Sequence, residues 1–239
     1  MNNEEKLKIL DEAKRWFAES IAENHIKNTK KLIDPNEFNI NPFLAAYLAN
    51  FLTGNSSPES IARALVLPRV LSTSITTSFG THIQKFAGIL RDSLGSTTSG
   101  IDIEFVDQID GNRKYCQLKL GPNTINKDDV ESIAGHFKGV INLARTNGVR
   151  IHREDMVVGV IYGEIRELSS HYKRITKEYD YPVLIGQDFW HRLTGDQNFY
   201  SDLFHAISSV AIEADFKDDL EEVIQKLAKS DTIKKLSFE

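Results

Sequence analysis

Ser99-Gly100-Ile101-Asp102-Ile103-Glu104-Phe105-Val106 is followed, past Asp110-Gly111, by Lys114-Tyr115-Cys116-Gln117-Leu118-Lys119-Leu120. Two alternating runs on either side of Asp-Gly form the pattern of a β-hairpin. With Asp110-Gly111 as a two-residue tip, Asp102 pairs opposite Lys119 and Glu104 opposite Gln117. Side chains alternate along a strand, so these four share one face. Ile101, Ile103 and Phe105 take the other, with Cys116, Leu118 and Leu120. Two acids, an amide and a lysine on one face suit a divalent cation held beside a positive helper.

Helical patterns surround the hairpin. Leu7, Leu10, Ala13, Trp16, Phe17, Ile21 and Ile26 recur at helical spacing through the first thirty residues, with Lys27, Lys30 and Lys31 placed to complement the helix dipole. A second apolar helix is expected from Pro42 to Leu52. A third starts with Ser57 as cap and Pro58 as first helical residue, and ends near Pro68. A further helix is expected from about Phe79, with Ile83, Phe86, Ala87 and Leu90 on one face. After the hairpin, Gly121 to Asn126 reads as a rigid polar turn. Asp128 or Asp129 then caps a long helix that Gly148 closes. Met156–Tyr162 reads as a buried strand and Pro182–Ile185 as a short one. Helices follow at Gln187–Leu193, Phe199–Ala214 and Asp218–Leu227. This order predicts an α/β protein (an α+β mixed sheet) with helices packed on the sheet. The expected division is an N-terminal helical region over 1–70 and a core with the C-terminal helices over 71–239.

The 239-residue chain is 41 % hydrophobic and 26 % charged, ordinary for a globular protein able to bury a core. A single cysteine excludes an intrachain disulfide framework and a cysteine-built zinc site. The net charge of −5 argues against a simple basic nucleic-acid module, although a local basic cleft is compatible with it. No secretory leader or membrane-length apolar run is apparent, and a cytoplasmic location is expected. There is no phosphate-binding Walker loop, no Gly-x-Ser-x-Gly elbow and no paired histidine metal motif.

The hairpin resembles the PD-(D/E)xK nuclease motif: an acid on one strand, then acid-x-lysine on the next. Asn41-Pro42-Phe43, Leu67-Pro68-Arg69-Val70, Thr77-Ser78-Phe79-Gly80, Gln117 to Asn126, Val157 to Gly163 and Phe189-Trp190 extend the likeness over most of the chain from about residue 40. Together they resemble the type II restriction endonucleases that cut GGNCC-type sites. That resemblance implies a PD-(D/E)xK core flanked by helices, Mg²⁺-dependent hydrolysis of double-stranded DNA, a homodimer and a cognate DNA methyltransferase. It implies catalytic Asp102, Lys119 and Gln117, with Asp102, Gln117 and Glu104 as metal ligands. Asn123, Thr124 and Asn126 are candidate DNA contacts, each also explained by turn chemistry.

Two positions depart from the motif. Ile101 stands where the family name has proline. Gln117 stands at the (D/E) position, where an amide can offer its carbonyl oxygen but no charge. Glu104 is the expected source of the missing charge, Gln84 a weaker alternative, and a glutamate at 117 is expected to be accepted. The competing readings are a structure-selective repair or recombination nuclease and an inactive DNA-binding protein of the same fold.

Overall fold

The protein is described from a computed structural model, which places residues 3–76, 78, 79, 82, 86, 89, 95–213 and 216–237. The expected helix face built from Ile83, Ala87 and Leu90, and the candidate Gln84, lie outside the described residues.

Helix α1 (Asn3–Phe17) and α2 (Glu23–Lys31) are joined through a π-helical turn at Ala18–Ala22. Helices α3 (Pro42–Thr53) and α4 (Pro58–Pro68) follow, then a π turn at Arg69–Ser74. Strands β1 (Ile103–Val106) and β2 (Arg113–Lys119) form the hairpin. Helix α5 (Lys127–Thr146) leads to β3 (Met156–Val160), α6 (Ser170–Tyr179) and β4 (Val183–Ile185). The chain closes with α7 (Gln187–Thr194), α8 (Phe199–Glu213), α9 (Lys217–Ala228) and α10 (Asp231–Lys234). None of the described helices is long and apolar enough to cross a membrane.

The chain divides into two compact units, Met1–Lys14 with Ile83–Ile207, and Arg15–His82 with Ser208–Glu239. The first holds a four-stranded mixed sheet in the order β1-β2-β3-β4, antiparallel at β1/β2 and parallel thereafter. The parallel pairs need crossovers, which α5 and α6 provide. These helices cover one face, where Val130, Ile133, Phe137, Tyr172 and Ile175 pack with Met156, Val158 and Val160. On the other face, a Cβ at Gly159 would lie 2.5 Å from Phe189 and 2.8 Å from the Cys116 sulfur, so only glycine lets α7 approach. Trp190, fully buried on α7, donates its indole N–H to Ile161 O at 2.9 Å.

The second unit is helical. Ala45, Ala49, Ile61, Val66 and Val70 form one core with Val223, Ile224, Leu227 and Ile233. Arg63 pairs with both Glu221 oxygens, at 2.8 and 2.7 Å, and Lys30 meets Asp219 at 2.9 Å. The terminal helices α9 and α10, expected with the sheet, therefore belong with α2 to α4. Their amphipathic pattern specified a buried face but not what buries it.

The hairpin tip also differs from expectation. Asp107 is fully buried, accepts N–H bonds from Arg192 at 2.8 Å and Ile109 at 2.9 Å, and closes a four-residue loop at Asn112. Gly111 sits within this loop at φ 75°. Asp110-Gly111 is thus not a two-residue tip. The pairs are Ile103 with Cys116, Glu104 with Tyr115 and Phe105 with Lys114. This is a shift of two from the expected register, which preserves each residue's face but changes its partner. Lys114 is buried on the core side; burial lowers its pKa, but hydrogen bonds to Asp110 and Asp155 outweigh that and leave it raised.

Candidate active site

Continuing the β1/β2 register one step places Asp102 opposite Gln117, not opposite Lys119. The Leu118 amide donates to Asp102 Oδ2 at 2.8 Å, so the acid is fixed to the strand that carries the other two residues. Asp102, Gln117 and Lys119 line a cavity of about 450 Å³.

Gln117 is buried, and its amide has a defined orientation. Its nitrogen lies 2.5 Å from Gly100 O and 2.9 Å from His136 Nδ1. A carbonyl oxygen can only accept, so the group facing Gly100 must be the NH₂. The same NH₂ then donates to Nδ1, which assigns the His136 ring proton to Nε2. Both amide hydrogens are committed, and Oε1 is the group's remaining acceptor. Gly100 is at φ 79°, and a Cβ there would lie 2.7 Å from the His136 ring. Gly100, Gln117 and His136 therefore form one interlock that only glycine at 100 permits.

Lys119 is half-buried and forms no ion pair with another described residue, in contrast to Lys114 on the same strand. A lysine on an apolar-flanked strand without a carboxylate partner is available to a bound anion.

Glu104 stands apart from this group. It faces Tyr115, and Oε1 accepts from Ser96 at 2.6 Å and Thr98 at 3.0 Å. Oε2 receives Arg113 at 3.2 Å. It does not line the cavity. The expected adjacency to Gln117 came from the two-residue tip and is lost with it.

The polar turn is largely self-contained. Thr124 donates to Gly121 O at 2.9 Å and meets the Tyr172 hydroxyl at 3.2 Å. Asn126, rather than Asp128 or Asp129, caps α5, in a capping box with Asp129. Asn123 is exposed.

Residues that the hairpin alone could not reveal complete the cavity. Asp129, Ser132 and His136 line it from α5, three and seven residues apart on one helical face. The signal was their spacing, readable only once α5 is known to lie over the polar side of β2. No group of three histidine, cysteine or acidic side chains is arranged as a metal cluster among the described residues.

No curated protein matches the chain. A family model for the type II restriction endonuclease EcoO109I matches residues 21–215. This match runs through the hairpin, its cavity and the helices on both sides. With an acid and a lysine brought together there on adjacent strands, the chain belongs to the EcoO109I family of type II restriction endonucleases, hydrolases that cut double-stranded DNA at specific sequences.

Proposed function

We propose that this chain cuts DNA by a Mg²⁺-dependent mechanism centred on Asp102, Gln117 and Lys119. The observation that carries the reading is their meeting in one cavity on the polar face of the hairpin. The donor set fits a hard cation: one carboxylate from Asp102 and the oriented Oε1 of Gln117, leaving room for water and phosphate oxygens. When bound, the cation supplies Lewis-acid neutralisation of phosphate charge. Asp102 is held in place by the Leu118 amide. Lys119 presents its ammonium to the scissile phosphate, orients the attacking water and stabilises charge that develops on phosphate oxygens. Asn123, Thr124 and Asn126 lie on the turn following β2, are all exposed, and are proposed to follow the DNA backbone.

The proposed recognition site is of the GGNCC type, which is two-fold symmetric and calls for a homodimer. Supporting this, α3 exposes Phe43, Tyr47 and Phe51 at 88, 63 and 79 %, aligned at intervals of four, with Leu44, Leu48 and Leu52 beside them. Such an apolar stripe is characteristic of a protein interface. A DNA methyltransferase recognising the same site completes the proposed system.

Digestion of mixed-sequence plasmid DNA tests the reading. Discrete fragments with Mg²⁺ and none with excess chelator are expected. Undiminished cutting in chelator would overturn the metal mechanism; a smear would favour a structure-selective nuclease.

A further inference from the structure

The motif's second acid is absent, because Gln117 contributes an oxygen without charge. One carboxylate and a neutral amide oxygen balance only half the charge of a divalent cation, so before DNA binds a cation held by Asp102 and Gln117 alone would be weakly retained. Glu104 does not make up the deficit: it does not line the cavity, and both its oxygens are occupied by Ser96, Thr98 and Arg113. On the opposite wall, Asp129 lines the cavity with Asp102, Gln117 and Lys119. Its carboxylate is anchored through one oxygen: Oδ2 accepts the Asn126 N–H at 2.8 Å. The capping box thus fixes the carboxyl group while Oδ1 accepts no hydrogen bond from another described residue. Gln117, 6 % exposed, lines this same space, and Oε1 is its remaining polar atom, because Gly100 and His136 hold both amide hydrogens.

We infer that Asp129 is the second carboxylate of the cation site, placed on α5 instead of on β2. It balances the cation's charge from across the cavity through the cation's water ligands, which Mg²⁺ retains readily. The helix N-terminus would ordinarily draw this carboxylate inward, and the capping box satisfies that demand with one oxygen. This inference rests on the cation-site reading above.

Binding of Mn²⁺ alone, followed by electron paramagnetic resonance on the full chain, tests it. Asp129→Asn keeps an oxygen able to accept from Asn126 and removes only the charge. It is expected to weaken Mn²⁺ binding by at least about tenfold, the loss typical when a group supporting a metal is removed. Asp128→Asn removes the same charge from the same helical turn without lining the cavity, and is expected to bind as the parent does. Circular dichroism melts in chelator check that both variants remain folded; a destabilised Asp129→Asn is replaced by Asp129→Ser, which retains a capping oxygen. Asp102→Asn separates the two levels of the argument. If it loses Mn²⁺ while Asp129→Asn binds like the parent, the cation site stands and the role of Asp129 is overturned. If Asp102→Asn also binds like the parent, or the parent binds no Mn²⁺ at millimolar concentration, the cation-site reading itself is overturned. Equal weakening by Asp128→Asn and Asp129→Asn would reduce the effect to general charge at the helix end and overturn the inference.

Discussion

The Gln117 side-chain amide donates to His136 Nδ1 across 2.9 Å, tying the strand that bears Lys119 to the helix that covers it. A glutamate at 117 would present lone pairs to Gly100 O in place of a donor, and the contact with His136 would survive only with a proton moved to Nδ1. Contrary to the expectation from the motif, Gln117→Glu should be destabilising, by about 1–3 kcal/mol, the usual cost of leaving buried polar groups unsatisfied. The midpoint of urea unfolding reads this directly, and an unshifted midpoint would show that the interlock does not form.

Asp102→Ala and Lys119→Ala should each reduce cleavage below detection, for different reasons. The first removes the strand-anchored carboxylate and should also remove Mn²⁺ binding. The second should leave Mn²⁺ binding within about twofold, because an ammonium is not a ligand. Cleavage by either folded variant within a few-fold of the parent would place the active site elsewhere.

Glu104→Gln tests whether Glu104 serves the fold or the proposed cation site. It weakens acceptance from Ser96 and Thr98 and discharges the contact with Arg113. A stability loss of about 0.5–1.5 kcal/mol is expected, with Mn²⁺ affinity unchanged. Weaker metal binding at unaltered stability would restore Glu104 to the ligand set.

Phe43→Ser combined with Phe51→Ser should convert a sedimenting dimer into a monomer, since it interrupts the exposed α3 stripe at both ends. Neither residue is buried within the chain, so the melting temperature extrapolated to high dilution should hardly change. A dimer that persists in the double variant would assign association to another surface.

Much of this architecture was legible because local chemistry decided it. Ser57-Pro58 fixes the start of α4, with Ser57 capping Ser60 N at 3.3 Å. The β-branched run at 156–160 could only be a buried strand. The face of each hairpin residue was also readable, because a period of two survives any even shift of register. The pairing itself was not: Asp107 looks like an exposed loop acid in sequence, and only its contact with Arg192, 85 residues distant, makes it the residue that closes the turn. Asp129 and His136 were obscured for a related reason. One reads as a cap and the other as a histidine facing either DNA or solvent until α5 is laid over β2. The packing of α9 and α10 against α4 likewise depends on chain-distant partners such as Glu221 for Arg63.

Cys116 lies on β2 between Tyr115 and Gln117, with its sulfur turned to the reverse side of the sheet against Gly159 and Phe189. Burial pushes its thiol well above the ordinary range, so thiolate chemistry is suppressed while the sheet is closed. Because it is the chain's sole cysteine, a thiol reagent has one target, and that target is sealed on the reverse face of the strand that carries Gln117 and Lys119. The rate of labelling in native buffer therefore becomes a clock for how often β2 separates from α7. Run with and without duplex, the same clock would report whether substrate tightens the sheet from the opposite side, using nothing added to the molecule.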